Sequence, residues 1–209
     1  MYNPDILNAE DEMNLVERAK NILFTPAKEW EVIKTEPLTT GQMYSQYVMI
    51  LALIPAIAGF IGQSIVGMSL LGESFRVPLF RGLAHAVVYY IFTLIGVYLL
   101  AFIIDALAPS FGAKKDMNGS LKVAVFSMTA AWVASIFNII PILSILSLLG
   151  LYSLYLLYGG MKVVKEPPPE KLAGYYVVTL IVTIIVYVII GVFAALLTLG
   201  SYGHGMRGW

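Results

Sequence analysis

Gly62-Gln63-Ser64, at the end of one apolar stretch, and His85, at the start of the next, pair a hydroxyl with an imidazole beside a membrane surface. Together they outline an intramembrane hydrolase, with His85 taking the Ser64 proton as the oxygen attacks a carbonyl. That chemistry needs the two side chains in hydrogen-bond contact and donors for the developing oxyanion. No residue pattern supplies either, and G-x-S arises readily in stretches rich in small residues. The chain is therefore expected not to be an enzyme. It contains no cysteine, which removes thiol nucleophiles and thiolate metal sites together. His85 and His204 are the only histidines, too few for a metal site, so His85 is expected as an interfacial, hydrogen-bonded residue. Phosphate-binding loops, paired catalytic carboxylates and basic nucleic-acid patches are absent, and no cofactor is implied.

Ionisable and polar groups inside apolar stretches are costly in lipid and often functional. Asp105 has two readings: a cation or proton site, or an interfacial carboxylate facing Lys114, Lys115 or Lys122. Tyr152, Tyr155 and Tyr158 recur every three residues. They suit either a polar cavity or the interface, where tyrosine accumulates. Tyr152 is the deepest, and its hydroxyl needs a partner. Asn138 and Gln63 are expected to satisfy backbone or neighbouring side chains near the far surface.

Five apolar stretches position these groups: 44–67, 83–107, 121–139, 142–163 and 175–199. A hydrocarbon core about 30 Å thick takes roughly 20 apolar residues of helix, and each stretch approaches or exceeds that length. Charged residues make up 12% of the chain, half the roughly 25% of soluble domains. The fold class is all-α: a five-span membrane bundle over 44–199, preceded by a helical head (1–43) and followed by a short tail (200–209). With five spans, one side holds Arg18, Lys20, Lys28, Lys34, Lys114, Lys115, Lys122, Lys162, Lys165 and Lys171. The other holds only Arg76, Arg81 and Arg207. The positive-inside rule then predicts a cytoplasmic N-terminus and an outside C-terminus.

In the head, Leu15, Val16, Ala19, Ile22 and Leu23 repeat at helical spacing before Thr25 and Pro26 break the run. Thr25 suits an N-cap and Pro26 the first helical position. The next helix carries Ala27, Trp30 and Ile33 on one face, with Lys28 and Glu29 elsewhere. Trp30, Lys28 and Glu29 are thus candidates for the membrane interface or for a partner. Within the bundle, small residues mark where helices approach: Ser127, Ala131 and Ser135 on the third span, and Ser144, Ser147, Gly150 and Ser153 on the fourth. Pro55 should kink the first span. The loop at 68–82 is apolar but broken by Gly72, Pro78 and Gly82, and is expected to fold back on the interface or the bundle.

The run TPAKEWEVI at 25–33 resembles the head of bacterial members of the Yip (Ypt/Rab-interacting membrane protein) family. So do AWV at 131–133, the NIIP turn at 138–141 and GLYSLYLLY at 150–158, and the five-span, N-inside plan is similar too. The resemblance implies an inner-membrane protein. Eukaryotic relatives bind prenylated Rab-type GTPases and one another in vesicle traffic, and their Asp-Leu-Tyr-Gly-Pro motif has no clear counterpart here.

Two function classes follow. One is a membrane adaptor working by protein–protein contact or self-association in the bilayer. The other is a transporter or lipid-handling protein with a path near Asp105, Tyr152 and Asn138.

Overall fold

Asn14 starts the first head helix by accepting a hydrogen bond from the Glu17 N–H at 3.0 Å. The computed structural model describes residues 14–70 and 73–203, the side chains of 68–70, 73–75 and 191–203 excepted. Leu71, Gly72, His204 and Arg207 lie outside the described residues. The head contains α1 (Leu15–Phe24) and α2 (Pro26–Thr35). Thr25 stands at the N-cap of α2 but does not cap it. Its hydroxyl donates instead to the Asn21 carbonyl at 3.0 Å and closes α1. Arg18 then ties the two helices, pairing with Glu29 at 2.5 Å and with Glu36.

Among the described residues, five helices long and apolar enough to cross a membrane follow: Thr40–Val66, Leu79–Phe111, Met117–Ile139, Pro141–Val164 and Pro169–Ile190. The last continues to Gly203. The first and third begin earlier than their apolar stretches because polar caps start them. Thr39 and Gln42 form a reciprocal capping box, and Asp116 accepts from the Asn118 and Gly119 N–H groups at 3.1 and 2.9 Å. Between the first two spans, β1 (Met68–Leu70) pairs antiparallel with β2 (Glu73–Phe75), Met68 opposite Phe75. The chain then returns to the bundle, where the Val77 N–H donates to the Gln63 carbonyl at 3.0 Å.

The third span is the hub: 72% of its apolar stretch is buried, against 17% and 11% for the fourth and fifth. Around its own Phe126 sit Tyr47, Ile104, Leu156 and Met161 of the other spans, all fully buried. Tyr47 meets Phe126 edge-on at 4.8 Å and shares a 2.7 Å hydrogen bond with Thr129. Exposed Ile57, Val88, Ile95, Leu148 and Ile184 present the outward, lipid-compatible surface.

The second and third spans end in short 3₁₀ segments, Ala108–Phe111 and Ser135–Ile139, and two others depart from regular α-helix over much of their length. The first turns from π to α geometry and is interrupted at Ala52, three residues before Pro55, which cannot donate to the preceding turn. The fourth runs as a 3₁₀ helix over Pro141–Leu151 before becoming α at Tyr152. With three residues per turn, side chains three apart eclipse one another. Ser144, Ser147, Gly150 and Ser153 therefore form a straight low ridge, and it meets the third span. A Cβ on Gly150 would lie 3.0 Å from the Ala131 Cα, and Ser153 Oγ accepts from the Ala131 N–H at 2.9 Å.

Tyrosine hydroxyls fasten the other neighbours. Tyr44 donates to the Leu94 carbonyl and Tyr90 to that of Met49, at 3.0 and 2.9 Å, joining the first two spans. From the fifth span, Tyr175 reaches the Ile104 carbonyl at 2.5 Å and Tyr176 the Leu154 carbonyl at 3.0 Å. Each staple satisfies a phenol that lipid could not.

Candidate functional site

The head docks on the bundle. A Cβ on Gly160 would sit 2.7 Å from Trp30 ring carbons, and one on Gly159 at 3.3 Å. The paired glycines thus leave a floor for the indole, and Trp30 is only 1% exposed. This corrects its expected place among the lipid headgroups: the apolar face of α2 packs on the fourth span instead. Ile22 and Ile33 are fully buried in the same core, while the Arg18 guanidinium lies 5.7 Å above the Phe126 ring. Glu29 is buried against Arg18 and is likewise unavailable to a partner. Lys28 remains exposed.

Next to the docked head lies a polar knot containing Asp105. Its carboxylate accepts from Lys165 Nζ at 3.4 Å and from Ser120 Oγ at 3.3 Å. Lys165 is completely buried and also donates to Ser120 Oγ at 2.7 Å and to the Asp116 carbonyl at 2.9 Å. The partner of Asp105 is thus Lys165, not Lys114, Lys115 or Lys122. Lys122 donates to the Glu36 carbonyl at 2.5 Å. Burial pulls the Lys165 ammonium below the ordinary lysine range, and Asp105 opposes that shift. Beyond it, Glu166 joins Lys34 of α2 to Lys114 of the loop between the second and third spans. Lys34 and then Lys114 hold the Glu166 carboxyl below its usual range, and Glu166 raises Lys34.

At the opposite end of the bundle a cleft of about 580 Å³ opens among the first four spans. Its rim carries Gln63, Arg76, His85 and Asn138, and its walls include Pro55, Ala56, Gly59 and Phe60. Close backbone approaches build it. A Cβ on Gly62 would lie 2.0 Å from the Asn138 carbonyl oxygen, so glycine there lets the turn after the third span sit beside Gln63. Gly82 admits the Ser64 side chain equally closely, which brings the second span, with His85 one turn further on, against the first. The Val77–Gln63 hydrogen bond carries Arg76 to the rim. A smaller space of about 270 Å³ adjoins the cleft and shares Pro55, Tyr89 and Ser135 with it. That annex is lined mainly by apolar groups, among them Phe92, Leu100, Trp132 and Tyr187.

The expected path through Asp105, Tyr152 and Asn138 is not assembled. Asp105 belongs to the head-end knot and Asn138 to the far cleft. Tyr152 is 37% exposed and stacks on Tyr155 at 5.3 Å, on the bundle's outer surface. It lies midway along the fourth span, where the 3₁₀ segment gives way to α-helix. Ser64 is buried, but its Oγ has no hydrogen-bond partner, so no Ser64–His85 couple forms. Among the described residues, no group of three or more His, Asp or Glu gathers at metal-binding distance.

The packing residues behave differently from one another. Ala131 and Gly150 meet directly. Ser127 is buried but donates within its own helix, to the Ala124 carbonyl at 3.1 Å. Ser135 does likewise to Trp132 at 2.5 Å and also lines the cleft. Ser147 is half-buried. Arg76, Lys165 and the Gly159-Gly160 floor were missed by sequence reasoning. Their only sequence signals are one of two arginines in an apolar loop, a lysine just past a span and a glycine pair facing a tryptophan by no local rule.

The chain is similar to the "Inner membrane protein YohC" of Escherichia coli (strain K12), with 28% identity over 112 residues. The protein of the same name in E. coli O6:H1 (strain CFT073) matches equally. The match covers 53% of this chain and 57% of the relative, so the chain spans little more than half the length of the curated relatives it matches. No solved structure matches the chain. The Yip1 domain family model matches residues 20–205, which takes in α2, all five spans and the second half of α1. On that match, the chain belongs to the Yip1 domain family.

Proposed function

We propose that this multi-pass protein is an inner-membrane adaptor whose head recruits or organises a protein partner at the cytoplasmic face. The observation that carries this reading is the apolar surface left on a docked head. Val16, Phe24 and Val32 are 72%, 76% and 50% exposed, while Ile22, Trp30 and Ile33 are consumed in the core. Exposed apolar groups on a rigid, ion-paired support suit partner binding. The excess of basic residues on the head side supports a cytoplasmic N-terminus and outside C-terminus, and the name of the relatives supports the inner membrane. This role needs no catalytic chemistry. Transport of an ion or polar solute has less support, since Tyr47, Ile104 and Phe126 fill the bundle on the head side of the cleft.

The test is photo-crosslinking in intact cells from Val16, Phe24 and Val32, with buried Ile33 as the silent control. The expected result is one discrete protein adduct shared by the exposed positions. Phe24→Glu should abolish it without changing the melting temperature in detergent. Adducts confined to lipid would refute the adaptor reading.

A further inference from the structure

We infer that the cleft at the far end of the bundle is a binding site for an anionic phospholipid of the leaflet remote from the head. The rim supplies the recognition chemistry. Arg76 offers a planar, permanently charged donor fork matched to phosphate oxygens, and Gln63, Asn138 and His85 add hydrogen-bonding groups. No carboxylate is among the described lining residues, so nothing there balances these donors or holds the ammonium of a zwitterionic headgroup.

The annex supplies the place for a chain. Cleft and annex share three walls, and the annex continues down the second span from Tyr89 to Leu100. At 1.5 Å per residue, His85 to Leu100 covers about 22 Å, more than the roughly 15 Å hydrocarbon depth of one leaflet and so long enough for an acyl chain. Polar groups at the membrane surface above an apolar slot describe an amphiphile, whereas a soluble anion would use the rim alone. The surroundings also favour lipid. Tyr89, Ser144 and His85 line the cleft while exposed on the bundle surface, so the space opens sideways as well as outward. The site is built rather than incidental, since Gly62, Gly82 and the Val77–Gln63 hydrogen bond each fix one wall.

The experiment uses the full chain, purified in mild detergent and stripped of lipid. Native mass spectrometry then follows titration with phosphatidylglycerol, with phosphatidylcholine of identical chains, and with inorganic phosphate. Phosphatidylglycerol should bind about tenfold more tightly than phosphatidylcholine, because both present the phosphate but only phosphatidylcholine brings an ammonium against Arg76 with no carboxylate to receive it. Inorganic phosphate should not displace it. Arg76→Gln should remove the tenfold preference, while Arg76→Lys keeps part of it. Gly59→Leu tests the walls: its Cβ has ordinary room, 3.9 Å from Gln63 Nε2, so the helix tolerates it while the isobutyl group fills the cleft. That variant should lose phosphatidylglycerol at an unchanged melting temperature. Equal binding of both lipids, or a preference that survives both Arg76→Gln and Gly59→Leu, would overturn the site and leave only annular lipid. Displacement by inorganic phosphate would overturn the lipid assignment.

Discussion

Replacing Trp30 tests whether the head is part of the bundle or merely rests on the membrane beside it. The indole is 1% exposed and lies on the bare backbone of Gly159 and Gly160. Truncating a buried Trp to Ala costs about 3–5 kcal/mol, because apolar contact is lost and the cavity closes only in part. If that energy holds the head down, the undocked population rises at least roughly 100-fold, at about 1.4 kcal/mol per decade. Limited proteolysis of the head in detergent micelles reads that population directly when opening is fast relative to cleavage. A second substitution sharpens the test. Gly160→Ala places a methyl 2.7 Å from two ring carbons of Trp30, an overpacking that costs about 1–3 kcal/mol. In Trp30→Ala the same methyl enters the vacated space, so the double variant should be more stable than the sum of the singles by about 1–3 kcal/mol. Near-neutral, additive singles would refute the docked arrangement and return α2 to the membrane surface.

Other perturbations probe the remaining contacts. Asp105→Asn leaves the fully buried Lys165 without its carboxylate and should destabilise the chain by roughly 3 kcal/mol; adding Lys165→Met should recover most of the melting temperature. Gly150→Leu puts an isobutyl group where even a Cβ lies 3.0 Å from Ala131 Cα, so thermal stability should fall by about 1–3 kcal/mol or more, whereas Leu149→Ile on the exposed side should be silent. The Glu166 carboxyl is held low by Lys34 and Lys114, so its contribution is present above the free-carboxyl pKa of about 4.3 and is lost as pH falls through the folded value. Melting curves of the native chain and Glu166→Gln should therefore differ slightly at neutral pH and converge in acid. Salt should narrow the neutral-pH gap, because the pair is exposed.

The spans were legible because bilayer thickness imposes a length that no soluble core helix needs, and the apolar stretches declare it without help from tertiary structure. The meeting of the third and fourth spans was legible too, since Ser144, Ser147, Gly150 and Ser153 keep a three-residue beat. Other features depended on distance in sequence. Nothing near Asp105 announces Lys165, which arrives from 60 positions away. Trp30 looks interfacial from its own helix, and only Gly159 and Gly160 on another span make it a core residue. The outward face of Tyr152 was not legible either, because the 3₁₀ course of Pro141–Leu151 follows a three-residue period that the apolar run does not announce. The cleft was visible only as separate polar residues. Its assembly rests on a backbone hydrogen bond from Val77 and on two glycine contacts, which no side-chain pattern encodes.

The tyrosine staples have a consequence for how this chain tolerates change. Tyr44, Tyr90, Tyr175 and Tyr176 each end on a main-chain oxygen of a neighbouring span, at Leu94, Met49, Ile104 and Leu154. A carbonyl already engaged in its own helix retains a second lone pair, so the acceptor is the same whatever side chain that residue bears. The fastening is therefore lopsided: one identity is fixed and the opposing position is free. Substitutions at Leu94 or Met49 preserve the join so long as the helix persists, whereas Tyr44→Phe or Tyr90→Phe severs it. Sequence drift can then proceed on one side of each junction without loosening the assembly.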